Sequence, residues 1–99
     1  MNKLHSESTD RLFETILNLK SVDECYDFFE DICTIKEILD MSQRLDVALL
    51  LDEGKNYQEI ASSTNVSTAT ISRVSKCLNY GSGGYRAAID RLKSEKEQL

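Results

Sequence analysis

An all-α fold containing a helix-turn-helix is the fold class that this sequence predicts, on three observations. Apolar residues recur at intervals of three and four along most of the chain, as on the buried face of a helix. Three polar residues that favour helix starts are each followed by glutamate three positions later, the capping-box pattern: Ser21, Thr34 and Asn56. The 99 residues include no proline and show no strand-like alternation, so we expect one helical domain, residues 1–99.

The first two predicted helices are amphipathic and acidic. The first begins between Ser6 and Asp10, and its apolar face comprises Leu12, Phe13, Ile16, Leu17 and Leu19. The second follows Ser21, and its apolar stripe comprises Val22, Cys25, Tyr26, Phe29, Ile32 and Cys33. Its opposite face carries Asp23, Asp27, Glu30 and Asp31. Such carboxylates could form a cation site or an acid and base pair, but no histidine lies nearby, and we interpret them as a solvent-exposed face.

Residues 35–53 follow Thr34 and form either one long helix or two helices that join near residues 40–42. Residues 47–51 are apolar on every side of a helix, which predicts contact on every side. Gly54 can adopt the left-handed conformation that ends a helix. We expect this segment to form the core and the main dimer contact.

Residues 56–78 carry the helix-turn-helix pattern. Asn56 caps a short helix that begins near Tyr57, Asn65 tolerates the left-handed backbone of the corner, and Ser67 caps the second helix. The side chains predicted to point inward are Ile60, Ala61, Val66, Ile71, Val74 and Leu78.

The outer side of the second helix is small and polar. We call it the recognition face; it comprises Thr68, Ala69, Thr70, Ser72, Arg73, Ser75 and Lys76. Short hydroxyls and two cations fit a DNA major groove, although a merely solvated helix would look similar. We expect DNA contacts from Ser67, Thr68, Thr70, Ser72 and Arg73, and phosphate contacts from Lys55, Asn56, Lys76 and Tyr80.

Charge is distributed unevenly along a chain whose net charge is −5. Residues 1–53 hold five Lys or Arg against thirteen Asp or Glu, a balance of −8, whereas residues 54–94 hold six against two, a balance of +4. A basic module on an acidic scaffold would direct that module toward phosphates. A chain of this length has little core volume for its wide apolar faces, so a second copy is expected to cover them.

The C-terminal part has a glycine-rich segment and then a helix. Residues 81–84 lack the ending and the preceding strand of a phosphate-binding loop, so we interpret them as a flexible connector. The last helix, residues 84–94, carries Tyr85, Ala88, Ile89 and Leu92 on one face. The expected organisation is thus an acidic dimerisation scaffold (residues 1–53), the helix-turn-helix (54–80), the last helix (84–94) and a solvated tail (95–99).

Several functional classes are disfavoured by the composition. His5 is the only histidine, and no nucleophile and base cluster together, so we expect neither an enzyme nor a metal site. Three cysteines without a CxxC pair favour a reducing compartment. The N-terminus lacks a signal-peptide core, and no apolar run could cross a bilayer, so we expect a cytoplasmic protein that makes no membrane contact.

Residues 69–78 (ATISRVSKCL) resemble the ATITR-containing recognition segment of the tryptophan repressor superfamily. The likeness extends from about residue 34 to residue 92, and residues 42–51 (SQRLDVALLL) are most similar to its YerC/YecD-type branch. The resemblance implies an all-α fold of about six helices that interleaves with a second copy as a homodimer. It also implies a transcription regulator, of repressor type, that binds a palindromic operator. The alternative hypothesis is a protein-interaction module of the transcription machinery without strong DNA binding of its own.

The same resemblance bears on a small-molecule effector. In the tryptophan repressor two arginines sandwich the indole ring of the co-repressor, and Arg44 and Arg73 stand at the matching positions as the candidate effector-binding pair. Val74 replaces a glycine that leaves room for that ligand, so we do not expect L-tryptophan or any other required cofactor. Arg44 would then pair with Asp40 or Asp46, and Arg73 would contact phosphate. An unidentified small-molecule co-repressor is the alternative.

Overall fold

Six α-helices make up most of the structure, a computed structural model that describes residues 4–97. Their bounds are α1 Glu7–Leu17, α2 Val22–Ile32, α3 Ile35–Asp52, α4 Tyr57–Thr64, α5 Thr68–Tyr80 and α6 Gly84–Glu97. No strand occurs within that range. The predicted all-α class is confirmed, and α3 is one continuous helix, which decides between the two alternatives for residues 35–53.

Side-chain caps determine where the helices begin. The amide of Glu24 donates to the hydroxyl of Ser21 over 3.1 Å at the start of α2. At α3 the exchange is reciprocal, because the Glu37 amide donates to Thr34 Oγ1 over 3.1 Å and the Thr34 amide donates to Glu37 Oε1 over 2.8 Å. The bond from the Thr34 amide lowers the pKa of Glu37, since it favours the carboxylate. The predicted caps at both helices are therefore confirmed.

The predicted glycine ending of α3 is also confirmed. Gly54 has a φ of +88°, in the left-handed region. Its amide donates to the Leu51 carbonyl over 3.0 Å, and the Lys55 amide donates to the Leu50 carbonyl over 3.1 Å. These two bonds make the Schellman motif, which satisfies the last carbonyls of α3 and turns the chain toward α4.

The chain divides into two compact units within α3, Met1–Ile38 and Leu39–Leu99. Every buried residue among those described belongs to the second unit: Val47, Ala48, Ile60, Val66, Ile71, Val74 and Ile89. Val47 and Ala48, in the C-terminal half of α3, therefore pack in the same cluster as the helix-turn-helix.

The first unit has no buried residue among those that the structure describes. Several of its large apolar side chains lie exposed, with Leu17 80% exposed and Ile35 70% exposed, and others, such as Phe28 and Phe29, are half-buried. The rings of Phe28 and Phe29 meet edge to face with centroids 5.5 Å apart, which is a contact between neighbours in sequence. A single chain thus leaves the apolar faces of α1 and α2 without a core.

The last helix is longer than expected. α6 continues to Glu97, three residues beyond the predicted end at residue 94, because Lys93, Glu95 and Lys96 are good helix formers and no glycine or proline follows. Its Ile89 is fully buried, whereas Ala88 and Leu92 remain exposed. Residues 98–99 of the predicted tail lie outside the described residues.

Candidate nucleic-acid interface

The two helices of the predicted helix-turn-helix pack through the side chains that the spacing indicates. Ile60 of α4 and Ile71 of α5 are fully buried, and Val74 and Val66 retain 2% and 8% of their exposure. They share one apolar cluster with side chains from α3 and α6, and Ala61 and Leu78 pack against it partly buried. The predicted inward positions are confirmed. The buried side of α5 fixes which of its residues face outward.

The corner between α4 and α5 is built by Asn65. Its φ of 58° and ψ of 24° place it in the left-handed region, and its amide donates to the Ala61 carbonyl over 3.0 Å. Thr64 Oγ1 donates to the Ile60 carbonyl over 2.6 Å and accepts from the Val66 amide over 3.3 Å. These bonds satisfy the end of α4 and turn the chain into α5, as predicted.

Replacing Asn65 with alanine should destabilise the protein by about 1 kcal/mol, because a Cβ without a polar head is disfavoured in the left-handed region. Glycine at the same position should be at least as stable as asparagine, since it adopts this conformation freely. Thermal unfolding measures both variants. Equal stability of the alanine and glycine variants would show that this backbone conformation is not maintained in solution.

The start of α5 uses hydroxyls that were predicted to contact DNA. Ser67 Oγ accepts from the Thr70 amide over 3.2 Å and donates to Thr70 Oγ1 over 3.1 Å. Ser67 therefore serves chiefly as the helix cap. Thr70 is half-buried, and its hydroxyl still has a proton to donate to an outside acceptor.

The rest of the recognition face lies open. Thr68, Ser72, Arg73 and Lys76 are exposed, whereas Ser75 is half-buried and its hydroxyl accepts from the Asn79 side chain over 3.3 Å. Within residues 4–97, neither Arg73 nor Lys76 forms an ion pair. Both positive charges are therefore available to an external anion.

The predicted phosphate contacts differ in their surroundings. Lys55 is exposed just before α4. The Asn56 side chain is occupied, since its Oδ1 accepts from the Glu59 amide over 2.9 Å and its Nδ2 donates to Glu59 Oε1 over 2.7 Å. Tyr80 is 85% exposed but ends α5, so it lies about 18 Å along the helix from Thr68. The structure does not bring Tyr80 together with the residues at the N-terminal end of α5.

Two cations counted in the basic half are already paired. Arg86 Nη1 lies 2.7 Å from Asp52 Oδ1 and 3.4 Å from Asp90 Oδ1, and Lys93 Nζ pairs with Asp52 Oδ2. Hydrogen bonds from Lys93 and Arg86 hold the pKa of Asp52 below its ordinary value. Of the six cations counted in the basic half, Lys55, Arg73, Lys76 and Arg91 form no ion pair with any described residue, and the first three are those predicted to contact DNA. Counting charges along the sequence could not reveal this pairing.

The candidate effector pair is exposed. Arg44 on α3 forms no ion pair with any described residue, so its predicted pairing with Asp40 or Asp46 is wrong. The side chain extends into solvent instead. Val74 is 2% exposed and belongs to the core, as the helix-turn-helix pattern predicts.

An open hollow of about 510 Å³ lies in the second unit between the end of α5 and the first turns of α6. Most of its lining is apolar or glycine: Leu45, Cys77, Gly81, Ser82, Gly84, Tyr85 and Ala88. Gly84 and Ala88 also line a second open surface along α6 that ends at Glu95.

Other kinds of site find no support in the part of the chain that the structure describes. Within it, no three His, Cys, Asp or Glu side chains come together to hold a metal ion. No described helix is long and apolar enough to span a bilayer.

Known proteins resemble this chain over nearly its whole length. Residues 7–93 match the family described as Trp repressor protein. The chain belongs to the Trp repressor family. One family relative is the Bacillus subtilis (strain 168) protein called "Uncharacterized protein YerC", which is 50% identical over 98 residues, 99% of this chain and 94% of that protein.

Two solved Trp repressor-like structures share the fold. A TrpR-like protein from Eubacterium eligens gives a TM-score of 0.90 at 54% identity, over 94% of this chain and 96% of its own. A Staphylococcus aureus crystal structure described as a candidate Trp repressor gives 0.88 at 44% identity, over 92% and 91%. The predicted superfamily is confirmed. Membership of the Trp repressor family indicates a DNA-binding regulator.

Proposed function

We propose that this protein is a sequence-specific transcriptional regulator of the repressor type, which binds a two-fold symmetric operator as a homodimer. The observation that supports this most is the contrast between the two sides of α5. One side is buried in the core through Ile71 and Val74, and the other offers hydroxyls together with Arg73 and Lys76, which form no ion pair with any described residue. A rigidly held helix with small outward side chains can enter a major groove deeply.

Each part of the recognition face has a distinct role in this proposal. Thr68, Thr70 and Ser72 offer hydroxyls to base edges or phosphates, and Arg73 can bond to the two acceptors of guanine. Lys55 and Lys76 bind phosphates and fix the orientation of α5 in the groove. Ser67 and Asn56 act indirectly, because their side chains hold the starts of α5 and α4.

The dimer part of the proposal is supported by the uncovered apolar surfaces. α1 and α2 have apolar faces with no buried residue, and the hollow beside Tyr85 is lined mainly by apolar groups. Monomeric proteins rarely leave such large apolar surfaces exposed. A second copy would cover them and would place two α5 helices about 34 Å apart, in successive major grooves.

We also propose that DNA binding needs no L-tryptophan. The buried Val74 side chain occupies the core beside Arg73, where the resemblance to the tryptophan repressor implies a glycine and a ligand space. Arg44 and Arg73 remain exposed and could still bind an anionic effector of another kind. Titration of duplex DNA with and without tryptophan should therefore give the same binding curve.

Replacing Lys76 with alanine should make the slope of log affinity against log salt shallower by about one unit for each protomer, because one phosphate contact per protomer is lost. The measurement is a titration of a mixed-sequence duplex at several salt concentrations. Lys96→Ala is the matched control, since this exposed lysine lies in the last turn of α6. Identical slopes for the wild type and Lys76→Ala would count against DNA docking through α5.

A further inference from the structure

A carboxylate at the end of α3 holds two cations of α6. Asp52 is the last residue of α3, and its two oxygens take different partners, Oδ1 facing Arg86 and Oδ2 facing Lys93. These partners lie 34 and 41 positions further along the chain. We call these three residues the Asp52 clamp.

The local structure of α3 does not account for an acid at this position. The C-terminal end of a helix carries partial negative charge, and Asp52 is followed by a second acid, Glu53, with no basic residue in the last turn of α3. Asp52 is therefore unfavourable for α3 alone. Its side chain is only 12% exposed, whereas those of Arg86 and Lys93 are 46% and 49% exposed. Both carboxylate oxygens bond to cations, so the carboxylate is more constrained than in an ordinary surface ion pair.

The clamp joins the two ends of the segment that contains the helix-turn-helix. The chain leaves α3 at Gly54, forms α4 and α5, and returns through α6. α4 packs on α5, and α5 packs on α6, while Ile89 of α6 lies in the same core as Ile71. Any shift of α6 relative to the end of α3 would therefore move α5 as well.

We propose that Asp52 is a positioning residue for operator binding, because the Asp52 clamp fixes α6 against α3 and so sets the orientation of the recognition face. Asp52 itself does not contact DNA. The inference rests on the proposed function, since orientation matters only if α5 enters a groove.

Simple electrostatics and the Asp52 clamp predict opposite changes in DNA affinity when the charge of Asp52 is removed. By simple electrostatics, losing a negative charge and releasing Arg86 and Lys93 would strengthen DNA binding and steepen its salt dependence. If the clamp orients α5, the same change weakens specific binding despite the added positive charge.

The test compares Asp52→Asn with Glu53→Gln, on a duplex selected for wild-type binding. Each variant removes one negative charge at nearly constant shape, and Glu53 forms no ion pair with any described residue. Asp52→Asn should weaken binding about fivefold, and Glu53→Gln should leave it equal or slightly tighter. Asp52→Glu, which restores a carboxylate, should return affinity to within about twofold of the wild type. Affinity of Asp52→Asn equal to or tighter than wild type overturns the proposal.

A second measurement needs no DNA and separates this inference from the proposed function. Amide hydrogen exchange in α6 should be faster in Asp52→Asn than in Glu53→Gln, and equal exchange would also overturn the clamp. If the wild type binds no duplex, the proposed function fails and exchange alone decides whether the clamp orders α6. If Asp52→Asn does not fold, Lys93→Gln replaces it, because this variant breaks one of the two ion pairs of the clamp. Lys96→Gln is then the control. DNA affinity and hydrogen exchange in α6 are interpreted in the same way.

Discussion

Replacing Ile71 with alanine is expected to lower the free energy of unfolding by about 2–5 kcal/mol. Ile71 is fully buried in the cluster that contains side chains of α3, α4, α5 and α6. Alanine would leave a cavity there, because helices fixed at several points cannot fully close around it. Domains of this size are stable by only about 5–15 kcal/mol. Such a loss should therefore also abolish DNA binding by the variant at temperatures close to the unfolding temperature of the wild type.

Chemical denaturation followed by circular dichroism measures this effect at one fixed protein concentration, since dimer stability depends on concentration. The neighbouring Ser72 provides the control, because it lies on the same helix and is exposed. Ser72→Ala should change the unfolding free energy by less than about 0.5 kcal/mol. Wild-type stability in Ile71→Ala would contradict the packing of α5 described above.

Replacing Arg73 with alanine should have the largest effect on DNA binding without affecting the fold. A lost bidentate contact to guanine costs about 1–3 kcal/mol, and a symmetric dimer loses two of them, or about 2–6 kcal/mol in total. This corresponds to a roughly 30-fold to 10⁴-fold loss of affinity for the selected duplex. Because Arg73 is exposed and makes no ion pair with a described residue, unfolding should be unchanged.

Arg73→Lys separates base recognition from charge. Lysine keeps the positive charge but lacks the planar pair of donors that matches guanine. If Arg73 contacts a base, the lysine variant should bind mixed-sequence DNA normally and lose discrimination for the selected duplex. If Arg73 contacts only phosphate, both affinities should stay near wild type. Wild-type affinity of Arg73→Ala for the selected duplex would show that Arg73 is not part of the interface.

The helix-turn-helix could be predicted from sequence because its determinants are local. Spacings of three and four residues identified Ile60, Ile71 and Val74 as buried, and the tolerance of asparagine for left-handed backbone placed the corner at Asn65. The ability of glycine to adopt the left-handed conformation likewise predicted that α3 ends at Gly54. Each of these sequence signals lies within about one helical turn of the feature that it determines, so it can be recognised in a single sequence.

Features that depend on distant residues could not be predicted in this way. Asp52 pairs with Arg86 and Lys93 across 34 and 41 positions, so a count of charges along the chain overstated the cations open to DNA. Ser67 and Asn56 were assigned both a cap and a DNA contact, and only the bonded geometry shows how far the caps engage their side chains. Whether such a side chain bonds within the chain depends on its orientation as well as on the spacing of residues in the sequence.

For the surface of α1 and α2, the sequence predicts apolar faces but not the residues that cover them. Amphipathic spacing predicted apolar faces that need covering, and the structure shows parts of those faces exposed in one chain, including Leu17 and Val22. Which side chains meet across a homodimer depends on the surface of the second copy. Spacing along one chain contains no information about that geometry.

The most direct test of the central claim, that the recognition face of α5 binds DNA as part of a symmetric dimer, is selection of bound duplexes from a random pool. We expect enrichment of a palindrome whose half-site centres lie about one helical turn, or a multiple of it, apart. The same sequence should be selected with or without tryptophan. Recovery of no enriched sequence, or of a single asymmetric site retained equally by Arg73→Ala, would contradict the claim.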